Sequence, residues 1–215
     1  MAFKSNRGVV QKWMVPMLLG VCVSCGAWAQ AGGVQTETKR PPADAEITKF
    51  FINDSEEGSR YETGPLHIIY SDGTEIVQTL PPLVASTDKE MVFNDVGFAH
   101  LQLAPDRQTL GWEVDVENCC TSYPVPLRVV VFRHGKVLRS FAPGQMVWEW
   151  MFLLDGKRLA IVTGPTHGPE VGHYCLYDVQ TGKLIAEVFG DESTQSLKSD
   201  APAWALLLQE RLDNK

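Results

Sequence analysis

From Trp148 onward the chain alternates short apolar runs with turn-forming residues. Met151 to Leu153 and Leu159 to Ile161 flank Asp155-Gly156-Lys157, and Tyr174 to Val179 and Leu184 to Val188 flank Gln180-Thr181-Gly182-Lys183. Asp-Gly between two strand-like runs favours a tight hairpin, and Gly182 can take the positive φ that such a turn needs. The pattern predicts a unit of four strands, with a longer loop from Gly164 to Gly172 joining its two hairpins.

The pattern occurs earlier as well. Phe98 to Val116 holds two apolar runs around Pro105-Asp106-Arg107, and Arg128 to Phe141 holds two more around His134-Gly135-Lys136. Asp106 and Asp155 lie 49 residues apart, and Gly135 and Gly182 lie 47 apart. A near-constant period with four strands per repeat is the signature of stacked β units. Upstream, His67 to Val77 forms another hairpin around Asp72-Gly73, and Ile47 to Ile52 reads as the start of this partial first unit, with the polar stretch Asn53 to Gly64 as loop; so short a run is also compatible with a helix. Two full units and a partial one cannot close a ring of about four or more blades. The expected fold is therefore all-β and antiparallel, with four-stranded propeller-like units in an open stack or a sandwich. The tail differs in kind. Ser199-Asp200 can cap a helix over residues 201–212, with Pro202 in its first turn and Trp204, Leu207, Leu208 and Leu212 along one side. Such a helix packs on a sheet or covers an open sheet edge.

Two stretches carry a family resemblance. Leu154-Asp-Gly-Lys-Arg-Leu-Ala-Ile-Val162, followed by Leu176-Tyr-Asp-Val-Gln-Thr-Gly-Lys-Leu184, resembles the blade pattern of bacterial WD40-like and TolB-like β-propellers, in which one such hairpin precedes the other. The earlier copy has Pro-Asp-Arg-Gln and Arg-His-Gly-Lys at these turns, and it lacks the Trp-Asp dipeptide of eukaryotic repeats. The resemblance covers about half of the chain, from Phe98 to Val188. It implies a structural class and no reaction, because propellers host binding proteins and enzymes alike.

The N-terminus reads as an export signal. Lys4, Arg7 and Lys12 precede an apolar run from Trp13 to Val23, and Ala27-Trp28-Ala29 supplies a small-x-small cleavage site. Cleavage after Ala29 leaves Gln30 first and predicts a secreted or periplasmic protein. A lipoprotein reading with Cys25 as the acylated residue is disfavoured, since Cys22 stands where that signal takes Leu. No later segment approaches the ~20 apolar residues of a transmembrane helix. Residues 30–45 are Gly-, Thr- and Pro-rich and read as a disordered leader, and residues 46–215 fit one domain. Cleavage removes three basic and no acidic residues, so 16 Lys and Arg face 26 Asp and Glu, a net charge of −10. Scattered positive charge on so acidic a chain disfavours nucleic acid and anionic membrane surfaces as partners.

Candidate chemistry is sparse. Cys119, Cys120 and Cys175 are the cysteines of the mature chain, in a compartment that permits disulfides. Adjacent cysteines are too strained to pair readily, so a bridge would join Cys175 to Cys119 or Cys120; the alternatives are three thiols that never pair, or a vicinal redox or soft-metal pair. His167, Glu170 and His173 lie three apart in a Gly- and Pro-containing loop, with Cys175 two residues on. Imidazole and carboxylate are zinc ligands, and the plainer alternative is a surface loop whose histidines bond backbone or water. Trp112, Trp148 and Trp150 read as core packing, and Asp72, Asp106 and Asp155 as turn residues that bond their own backbone. No cofactor is expected, for the chain has no phosphate-cradling glycine loop, no Gly-x-Ser-x-Gly elbow and no His-Glu-x-x-His motif.

These features favour a non-catalytic exported module that binds an unknown protein or small molecule. The loops Glu117 to Pro126 and Gly164 to Gly172 occupy equivalent places in the two full units, so the expected binding face holds His167, Glu170, His173 and Tyr123. A metal-dependent or hydrolytic enzyme built on the loop at residues 164–173 is the second reading, and a self-associating structural envelope protein the third.

Overall fold

The computed structural model describes residues 40–53, 63–83, 94–117, 123–166, 171–193 and 196–214, which all belong to the compact unit Thr38–Lys215. The signal segment and most of the leader lie outside the described residues. Strands β1 (Ile47–Ile52), β2 (Leu66–Tyr70) and β3 (Glu75–Gln78) form a first sheet. β4 (Asp95–Leu103), β5 (Thr109–Val116), β6 (Val125–Arg133) and β7 (Lys136–Phe141) form a second. β8 (Met146–Leu153), β9 (Arg158–Gly164), β10 (His173–Asp178) and β11 (Leu184–Phe189) form a third, and helix α1 (Ala203–Asp213) follows. Every strand pairs antiparallel with its sequence neighbour inside its own sheet, so the described chain is an all-β set of two four-stranded meanders and a three-stranded one, with one C-terminal helix.

The side-chain period of two decides how the sheets stack. Leu110, Trp112 and Val114 on β5, with Val130 and Phe132 on β6, share a core with Ile47, Leu66 and Ile68 of the first sheet. The alternate residues Val129 and Val131 share a second core with Val147, Trp150, Leu159 and Ile161 of the third sheet. Ala160, Val162 and Tyr174 turn the other way and meet Ala205 and Leu208 of α1. β6 and β9 are thus covered on both faces, which is why Val129 to Phe132 and Leu159 to Val162 read as continuous apolar runs. Each fully buried Leu, Ile or Val side chain adds about 1.5–3 kcal/mol of transfer free energy. Close approach of the second and third sheets requires Gly111, where a β-carbon would come within 2.6 Å of Trp150 Cη2.

The turns follow their chemistry. His134 and Gly135, at φ 51° and 73°, make the two-residue turn between the paired residues Arg133 and Lys136. Asp106 accepts hydrogen bonds from the backbones of Gln108 and Thr109 and from the Thr109 hydroxyl, and Asp72 accepts two from Thr74. Asp155 contributes differently, by adopting the left-handed conformation itself at φ 53° beside Gly156 at 77°.

Three details depart from expectation. Pro41 and Ala45, assigned to the leader, are buried in the domain. Helix α1 begins after Pro202 without a side-chain cap, so Ser199 and Asp200 do not cap it. Its packed side includes Ala205 and Leu208, whereas Leu207 is exposed, because the helix lies across the face of β8 and β9. No helix among the described residues is long and apolar enough to cross a membrane.

Candidate functional site

Two breaks in strand regularity build a site that the turn pattern does not announce. On β4, Ala99 pairs with Glu113 and Gln102 with Gly111, so His100 and Leu101 stand opposite Trp112 alone. This bulge puts His100 at φ 47°, an uncommon conformation for a residue other than glycine. On β8 the register shifts between Val147 and Glu149. Trp148 then packs toward the helix while Trp150 turns to the second sheet, and Glu149 is left facing Arg211 of α1.

The result is a chain of ionisable groups across four elements. His100 Nδ1 lies 3.0 Å from Glu113 Oε1 on β5, and His100 Nε2 lies 3.5 Å from Glu149 Oε1 on β8. Glu149 Oε1 also accepts the Trp150 backbone N–H at 2.9 Å and lies 3.4 Å from Arg211 Nε. Gln102 holds the bulge to the third sheet by donating to the Trp150 carbonyl at 2.8 Å, and its amide nitrogen lies 3.0 Å from His100 Nε2. Glu149 is 0% and Glu113 6% exposed, so both carboxylates have left water for these partners. Burial of a carboxylate without compensation is costly, and an opposite charge with hydrogen bonds is what makes it tolerable. Asp115, two residues from Glu113 on the same side of β5, has its pKa raised by burial and then by repulsion from Glu113.

A cleft of about 480 Å³ opens over this chain, lined by His100, Glu149, Leu207, Glu210, Arg211 and Asn214. Its size suits a small molecule. Among these lining residues there is no serine, threonine or cysteine that could serve as a nucleophile.

Of the residues expected from sequence, the described ones, Tyr123 and His173, do not line this cleft. His167 and Glu170 are outside the described residues, as are Cys119 and Cys120. Tyr123 is half-exposed just before β6. His173 is the first residue of β10 and not part of a loop; its ring stacks on Phe189, with centroids 4.1 Å apart, and its Nε2 lies 2.9 Å from Glu187 Oε2. Cys175 is a buried free thiol 3.4 Å from His173 Nε2. Burial pushes that thiol's pKa up, against a hydrogen bond from Tyr177 that lowers it. Trp112 and Trp150 are core residues, in line with the sequence reading.

Sequence reasoning passed over His100, Glu113 and Glu149. The available signal was a single acid inside a strongly apolar strand, as in Leu110-Gly-Trp-Glu-Val114 and Val147-Trp-Glu-Trp150. No family model matches the chain, and no curated protein matches it.

Proposed function

We propose that this chain is an exported β-rich binding module without a reaction of its own, and that it takes a small ligand bearing a cationic nitrogen in the cleft over His100 and Glu149. The observation that carries this reading is the fully buried Glu149 carboxylate beneath a cleft of about 480 Å³. Glu113 behind His100 and Glu210 on the rim add negative charge, and Arg211 alone among the residues lining the cleft has a permanent positive charge. An ammonium or amidinium group would exchange its hydration for carboxylate oxygens at a site already desolvated. Export rests on the order of basic, apolar and small residues before Gln30. Kinship with bacterial WD40-like and TolB-like propellers is part of the same proposal, supported by the consecutive four-stranded meanders.

Thermal-shift titration of the full mature chain with size-matched amines and carboxylic acids tests the ligand class. Amines are expected to raise the melting temperature in proportion to the logarithm of their concentration, and to be recovered chemically unchanged. Stabilisation by the acids alone, or by neither series, would overturn the reading; conversion of a bound amine would overturn its non-catalytic part.

A further inference from the structure

The third sheet carries a second cluster, independent of the cleft. His173 and Cys175 occupy alternate positions of β10, and Glu187 of β11 is paired directly with Cys175. The donor atoms of these three residues all lie within 4.8 Å of one another, with Nε2 to Oε2 at 2.9 Å and Sγ to Nε2 at 3.4 Å. A tetrahedral zinc ion with bonds of about 2.0–2.3 Å holds nitrogen and sulfur ligands roughly 3.5 Å apart, and nitrogen and oxygen ligands roughly 3.3 Å apart. These two separations match within a few tenths of an ångström, and the sulfur and the carboxylate oxygen lie within 4.8 Å of each other. We propose that His173 Nε2, Cys175 Sγ and Glu187 Oε2 form a three-ligand site for zinc(II), with the fourth position taken by water.

The surroundings suit that role. Phe189, paired with His173, stacks on its imidazole at an interplanar angle of 3° and fixes the ring's orientation. Tyr177 hydrogen-bonds the Cys175 sulfur as an outer partner. Glu187 is 49% exposed, so an ion reaches the buried sulfur from the outer-strand side. On binding, Cys175 releases its proton to solvent and His173 ligates as the neutral imidazole.

The first sheet provides an internal control. His67 stacks on Phe51 with centroids 4.9 Å apart and lies 2.6 Å from Glu75, but the residue two positions on is Ile69. Stacking and a nearby carboxylate therefore serve to hold a strand histidine in place, and the thiol is what the third sheet adds. A site lacking a sulfur ligand should bind far more weakly.

The test is cobalt(II) titration of the chelator-stripped full chain in a thiol-free reductant, followed by competition with zinc. One cobalt per chain is expected, with tetrahedral visible bands and a thiolate-to-cobalt charge-transfer band, all removed by zinc. Cys175→Ser should abolish the charge-transfer band. Glu187→Gln, on the exposed strand, should weaken binding by more than the roughly 10–100-fold that loss of an outer partner costs, while His67→Gln leaves it unchanged. The proposal fails if no charge-transfer band appears, if the band survives Cys175→Ser, or if Glu187→Gln binds like the parent. It also fails if non-reducing peptide mapping of the exported protein finds Cys175 in a disulfide with Cys119 or Cys120, because the bridge removes the thiolate.

Discussion

His100 and His173 each sit beside glutamate on a β-strand, yet their settings are opposite. His100 is bent into the left-handed region by a bulge and lies between two carboxylates buried by the second and third sheets. His173 starts a regular strand and lies against Phe189, which is 63% exposed on the outermost strand. The difference teaches that the first histidine is held by the fold's core and the second by its neighbours on one sheet. Damage to the cleft must therefore cost stability, whereas Glu187 and Phe189 on the exposed outer strand can be altered almost freely.

The largest expected contrast is between the aromatic rings beside each histidine. Trp150, 5.7 Å from the His100 ring and fully buried, should cost about 3–5 kcal/mol when changed to Ala, or roughly 6–20 °C of melting temperature in a chain of this size. Phe189→Ala should stay within about 0.5 kcal/mol. Comparable losses in thermal denaturation of the two variants would break the comparison.

A smaller contrast concerns the carboxylates. Glu149→Gln removes the charge that meets His100, Arg211 and the Trp150 amide, and denaturant titration should show a loss of about 1–3 kcal/mol. Glu187→Gln should change stability by less than about 0.5 kcal/mol without metal.

The smallest effect is in pH dependence. Burial raises the pKa of Asp115, so its charge opposes folding at neutral pH, and Asp115→Asn should stabilise the protein there. That gain should fade as pH falls through the raised value to the ordinary carboxylate range. Asp178, at the far end of β10 from His173, behaves in reverse. Hydrogen bonds from the Thr181 hydroxyl and amide lower its pKa, so its stabilisation is present above the ordinary carboxylate range and is lost as pH falls through the depressed value. Asp178→Asn should therefore lower stability at neutral pH and make no difference in acid. Stability curves of the two variants between acid and neutral pH check both signs.

Much of this fold was legible in the sequence, because turns are local. Asp106, His134-Gly135, Asp155-Gly156 and Gly182 fix their hairpins through their own φ angles and backbone bonds, which a few residues suffice to encode. The cleft was not legible, since its residues meet through two bulges and a helix crossing. Nothing in Phe98-Ala-His-Leu101 announces that one strand residue is surplus, and only pairing with β5 reveals it. The helix was found, and Trp204, Leu208 and Leu212 pack on the sheet as expected, but Leu207 lines the cleft and the smaller Ala205 is buried. At the outer cluster the sequence offered His173 and Cys175, but Glu187 joins them only through strand register.

The central claim is that ligand binding depends on the buried carboxylate of the cleft and not on the outer cluster. Isothermal titration of the most stabilising amine against the parent, Glu149→Gln and Glu187→Gln proteins tests it most directly, once circular dichroism shows all three folded. The account predicts that Glu149→Gln weakens binding at least about tenfold, or about 1.4 kcal/mol, with Glu187→Gln unchanged. Unaltered affinity in Glu149→Gln, with binding lost in Glu187→Gln, would contradict it.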